Sequence, residues 1–144
     1  MKLKQVLDAF NILNTTQYSK LDDLDKIKLW KITRVLKPFA IKLQEDIKET
    51  SEKFMQEFDN FKENLQKAQA YETGDSSVMT KEEYESFIKD FIAYKVITDK
   101  AIESLTDVEQ EILIDKLSEE AFGKLISSNN WTFEVISKID FIME

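Results

Sequence analysis

The chain has no cysteine and no histidine among its 144 residues, and it has only two glycines and one proline. Without Cys or His there is no thiolate nucleophile, no Ser-His or Cys-His pair, no disulfide and no nitrogen- or sulfur-ligated zinc site. The two glycines, Gly74 and Gly123, stand far apart, whereas a phosphate-cradling loop needs several within one short stretch. Nucleotide-binding folds of the Walker and dinucleotide types are thereby excluded. Long apolar runs are missing as well. No segment approaches the ~20 residues of a spanning helix, and Asp8 and Asn11 interrupt the apolar stretch of about 7–15 residues that a signal peptide would carry. The expectation is a cytoplasmic protein that does not enter a membrane. The triplets at Asn14 and Asn130 then read as chance matches to the glycosylation pattern.

What remains is 42% hydrophobic, 33% charged and 11% aromatic. That composition supports a folded domain, and the length suits a single one over 1–144. The net charge of −8 is unevenly distributed. Residues 1–42 hold nine Lys/Arg against four Asp, a net of +5, while 43–144 hold eleven against 24 acids, a net of −13.

The periodicity predicts a mainly α fold: a short helix over 1–14, a helical hairpin over 20–104 and a small C-terminal subregion over 105–144, either α+β or helical. Leu3, Val6, Leu7, Phe10 and Leu13 give the first helix one apolar stripe. Ser19 to Asp25 supplies the next start, with acids suited to the positive helix end. A second stripe then runs Leu29, Ile32, Leu36, Phe39, Leu43, Ile47, Phe54, Phe58, Phe61, Leu65, Ala68. It keeps its phase across Pro38, so the sequence reads as one long kinked helix, unbroken over 21–72 and about 75 Å long at 1.5 Å per residue. Such a helix would have to project from a globule of this mass. Gly74 and the turn-like Thr73-Gly-Asp-Ser-Ser end it.

Thr80-Lys-Glu-Glu83 is a capping box, with Met79 and Tyr84 in staple positions, and opens a helix over 80–104. Its stripe of Tyr84, Phe87, Ile88, Phe91, Ile92 and Tyr94 predicts an antiparallel, coiled-coil-like hairpin against residues 50–72. Glu111–Asp115 reads as a short strand, although Thr106–Glu109 equally matches a capping box. Ser118 starts a short helix to about Ile126, with Leu117 and Phe122 as its staple. For 131–136, strand alternation and helical spacing compete, and periodicity does not decide between them.

Residues 26–42 contain Lys26, Lys28, Lys31, Arg34, Lys37 and Lys42 and no acid. At 100° per residue, Ile27, Trp30, Arg34 and Ile41 fall opposite the main stripe, so the segment is apolar on two faces. In one reading the first helix covers the second face and the cations form a solvated rim with buried stems. In the other, Ile27, Trp30, Lys31, Arg34, Lys37 and Ile41 form a docking surface anchored by Trp30 and its neighbouring Arg34. Nucleic-acid binding through this patch, with Trp30 stacking on a base, is opposed by the net charge and a pI of about 4.7. The acids at Asp22, Asp23 and Asp25, and at Glu82, Glu83 and Glu85, lie at helix starts and read as capping rather than as a metal site or acid/base pair. No catalytic residue, cofactor site or small-molecule substrate is evident.

The order of a short helix, then Lys31-Ile-Thr-Arg-Val-Leu-Lys37 leading into a long helix, then Glu111-Ile-Leu-Ile-Asp-Lys-Leu-Ser-Glu-Glu120 resembles a loose group of small bacteriophage-encoded helical proteins of unknown function, found among virion and assembly genes. The resemblance covers most of the chain as a layout and brings no catalytic residues. It implies a non-enzymatic structural or assembly protein in the host cytoplasm or virion, acting on a protein partner or on further copies of itself. The alternative expectation is an acidic inhibitor, whose carboxylates stand in for phosphates and block a host nucleic-acid-binding or defence enzyme.

Overall fold

The computed structural model describes residues Met1–Glu144. The chain is 72% helical and has six α-helices and no strand. They are α1 (Leu3–Asn14), α2 (Asp23–Met55), α3 (Phe61–Glu72), α4 (Lys81–Thr106), α5 (Glu119–Asn129) and α6 (Phe133–Ile139), with a 3₁₀ turn at Asp140–Ile142. The chain divides into two compact units: Met1–Glu45 with Thr106–Glu144, and Asp46–Leu105.

The first unit has an aliphatic core. Val6, Ala9, Phe10 and Leu13 of α1 join Leu29, Ile32, Leu36 and Ala40 of α2, Phe122 and Leu125 of α5, and Ile139 and Ile142 near the C-terminus in one buried cluster. The element packed most extensively on α1 is α6, and the main stripe of α2 shares one buried cluster with residues of α1 and α5. The Asp22 carboxylate caps α2 by accepting from the Asp25 amide at 2.8 Å. Pro38 lies inside α2 without ending it. Pro38 is exposed, so the Arg34 carbonyl that loses its helical partner sits on the solvent side, where water can satisfy it.

Ser118 starts α5 as the sequence predicts, its hydroxyl accepting from the Ala121 amide at 3.2 Å, and the staple residues Leu117 and Phe122 are both fully buried. Asn130, in the left-handed conformation at φ 50°, ends α5. Thr132 then caps α6, accepting from the Val135 amide at 3.4 Å, so residues 133–139 are helical.

The strand expected over Glu111–Asp115 does not form. The segment alternates in burial as a strand would, with Ile112 and Ile114 against the core and Leu113 81% exposed. It lacks a neighbour to pair with. The only ladder-like bonds lie at its flanks. The Leu3 amide donates to the Val108 carbonyl (2.9 Å) and the Gln110 amide to the Met1 carbonyl (2.7 Å). At the other end the Leu117 amide donates to Ile142 (2.7 Å) and the Glu144 amide to Leu117 (2.8 Å). Thr106 belongs to the end of α4 and opens no capping box.

The second unit is built on aromatic rings. The helix expected to be unbroken over 21–72 stops at Met55 and resumes at Phe61. The break falls at Asp59-Asn60, where Asn60 adopts the left-handed conformation at φ 52°. Asn tolerates that geometry better than other non-glycine residues, so the turn forms without glycine. The Phe61 ring meets Phe87 (5.5 Å between centroids), Phe91 (6.3 Å) and Tyr94 (4.6 Å) of α4, while Tyr71 stacks on Tyr84 (4.6 Å). The contacts run in opposite sequence order along the two helices, which makes α3 and α4 antiparallel. Gly74 at φ 109° provides the turn after α3, where a residue with a side chain would be strained. The capping box at Thr80 forms, its hydroxyl accepting from the Glu83 amide (3.1 Å) and the Glu83 carboxylate accepting from the Thr80 amide (3.4 Å).

Candidate functional site

The two readings of residues 26–42 differ in what covers the second face of α2. In the folded chain the main stripe of α2 is buried in one core cluster with residues of α1 and α5, and the second face is left open. Trp30 is 58% exposed and Ile27 49%; Lys31, Arg34, Lys37 and Ile41 are exposed with them. All six predicted residues are thus on one accessible side of a single helix. The Arg34 guanidinium lies 5.2 Å from the centre of the Trp30 ring, a cation–π contact that orders both side chains.

The residues around this helix differ in charge pairing. Lys28 is tied down, reaching the Asp115 carboxylate at 3.8 Å and the Lys116 carbonyl at 3.4 Å. By contrast, Lys26, Lys31, Arg34 and Lys37 have no carboxylate of the chain within ion-pair distance. Their charge is available to a partner. Trp30 also forms one wall of a cleft of about 360 Å³, completed by Leu13, Asn14, Tyr18, Lys26, Ile27, Leu29 and Thr33.

The loop that carries Tyr18 is held in place by a two-way amide bond. The Gln17 amide donates to Asn129 Oδ1 (2.8 Å), and Asn129 Nδ2 donates to the Gln17 carbonyl (3.0 Å). Leu21, buried in the core, anchors the same loop from its other end. Tyr18 escaped the sequence reading because it belongs to no periodic segment, and only the fold of α1 back onto α2 brings it beside Trp30. Elsewhere Phe133, on the first turn of α6, is 91% exposed, again without a sequence signal that would separate it from a core aromatic.

The acidic clusters act locally. Asp22 caps α2 and Glu83 completes the capping box of α4, and no group of three or more acids is placed to hold a metal ion. The Tyr84 hydroxyl donates to Glu72 Oε1 at 2.6 Å, and that bond raises the phenol pKa above the ordinary tyrosine value. The hydrogen bond from Lys2 Nζ to the Asp107 carboxylate likewise holds that ammonium above the ordinary lysine value. Neither group is among the residues that line the Trp30 cleft. No helix is long and apolar enough to cross a membrane. Comparison with protein-family models, with curated proteins and with solved structures finds no match to this chain.

Proposed function

We propose that this protein is a non-enzymatic structural or assembly factor of the bacteriophage type, working in the host cytoplasm or the virion by docking another protein on the exposed face of α2. The observation that carries this reading is Trp30, a large aromatic held out in solvent with Arg34 against its ring. Trp and Arg are the residue types most enriched among interface residues that dominate binding energy. The exposed Ile27 and Ile41 extend the apolar area, and the unpaired cations supply orientation. The phage assignment rests on the layout of the helices along the chain and on nothing in the docking face itself. Light scattering across a concentration series, with affinity capture from the producing cells, tests the reading. The expected result is an oligomer or a stable complex that Trp30→Ala abolishes; a concentration-independent monomer with no partner refutes it.

A second reading, inhibition by acidic mimicry of nucleic acid, is favoured by the charge of the second unit, where 46–105 carry fourteen acids against eight lysines. It requires salt-sensitive binding to a nuclease or other nucleic-acid enzyme, in competition with DNA or RNA. Binding that is indifferent to salt eliminates it.

A further inference from the structure

Along the open face of α2 the residues Asp23, Ile27, Trp30, Arg34, Lys37, Ile41 and Glu45 follow one another at steps of four and three. Such steps average close to the 3.6-residue period of the α-helix, so the seven residues stay on one face along the helix. This second seam has a fixed order: two apolar residues, two cations, one apolar residue, and an acid at each end. Asp23 and Glu45 are both exposed and lie about 33 Å apart at 1.5 Å per residue.

The order limits what can occupy the seam. A membrane surface or a nucleic-acid duplex is a continuous polyanion, and it would meet Asp23 and Glu45 as well as the cations between them. In the antiparallel register centred on Arg34, the same face of a second copy would bring Arg34 against its own counterpart and Asp23 against Glu45, which repel; only a shifted register, with Lys37 against Asp23, relieves this. A short ligand with its negative charge concentrated at its centre meets only attractive groups. It can also place an apolar side chain in the cleft beside Trp30 and Tyr18.

We infer that the partner docked on α2 is an acidic amphipathic helix of roughly 20 residues, its contacting seam apolar at both ends and carboxylate-bearing in the middle. The inference rests on the docking reading above and specifies the partner's chemistry. It is tested by selecting a displayed library of random peptides of about 20 residues on the full-length protein, with single-stranded DNA and phosphatidylglycerol vesicles as parallel probes. Enriched peptides are expected to carry Asp or Glu between apolar residues at steps of three and four, and to become helical when bound. Their affinity should fall roughly tenfold or more in Trp30→Ala and be lost in Arg34→Glu, whose side chain would repel the central carboxylates. Both positions are exposed, so circular dichroism of the free variants should match the parent.

Basic or extended peptides that nevertheless need Trp30 would overturn the acidic helix and leave the docking reading standing. The same holds for Trp30-dependent capture of DNA or vesicles without peptide enrichment, which replaces the partner class. Enriched peptides indifferent to Trp30→Ala, or no enrichment with any probe, would overturn the inferred partner. When the solution complexes are equally indifferent to Trp30→Ala, the docking reading falls with it.

Discussion

The first unit draws its core from both ends of the sequence, whereas the second closes over one continuous stretch, Asp46–Leu105. Their interiors differ to match. In the first, aliphatic side chains and the Phe122 ring are withdrawn almost completely from solvent, and most of them come from four separate helices. In the second, the only buried apolar side chains are Phe61, Ala68, Met79 and Phe87, surrounded by half-exposed rings at Phe58, Tyr71, Tyr84, Phe91 and Tyr94. A core that recruits distant segments can bury whole side chains. A seam between two adjacent helices leaves much of each ring at its edge in water and depends more on ring-to-ring geometry.

Substitutions should expose that difference. Phe122→Ala removes the largest fully buried side chain of the first unit and is expected to cost about 3–5 kcal/mol, read from urea unfolding. Phe61→Ala should cost about 3 kcal/mol, because three of the rings it touches, Phe58, Phe91 and Tyr94, are already partly solvated and can close over the gap. Hydrogen exchange should place its effect on amides of 46–105; faster exchange throughout 1–45 and 106–144 as well would show that the two units unfold as one.

The second unit also contains a buried group without a partner. Thr98 is buried, and its hydroxyl makes no hydrogen bond to any protein group. Thr98→Val keeps the shape and removes the polar atom, so a gain of about 1 kcal/mol is expected in the same unfolding experiment. A loss would mean that the hydroxyl is satisfied in solution.

The smallest effect is a pH dependence. Donation to Glu72 raises the Tyr84 pKa in the folded chain, so the stability it contributes is complete below the unfolded tyrosine pKa and disappears as pH rises through the folded value. Phenolate absorbance titration should show one tyrosine ionising later than the rest, and Tyr84→Phe or Glu72→Gln should remove that late component.

Much of the architecture was legible because it depends on neighbours in sequence. The oxygen of Ser118 or Thr80 finds an amide three residues on whatever the rest of the chain does, so both helix starts could be read directly. The 3.6-residue stripe likewise carries α2 past Pro38. Illegible features depended on segments far apart. Glu111–Asp115 has a strand's alternation, but a strand also needs a pairing partner, and alternation says nothing about one. The break at Asp59-Asn60 was hidden by a stripe that resumed in phase beyond it. The polar pair itself was the only local signal, and it was weaker than the glycine or proline that usually marks a turn.

The candidate site divides along the same line. Spacing put Ile27, Trp30, Arg34 and Ile41 on one face, but a helical wheel cannot say which of two apolar faces a neighbouring helix will choose. In the folded chain the Leu29–Leu36 side is the buried one, in a cluster shared with α1, α5 and residues near the C-terminus.

The segment between α4 and α5 is bonded to residues 1–3 near its start and to 142–144 at its end. Those bonds have a consequence for the order in which the chain can fold as it is made. The second unit is complete once residue 105 has left the ribosome, and its contacts are close in sequence. The first cannot close until the last few residues arrive, so α1 and the front of α2 must wait with apolar surface uncovered while the aromatic hairpin forms. That delay makes the early helices the part of the nascent chain most in need of protection from aggregation.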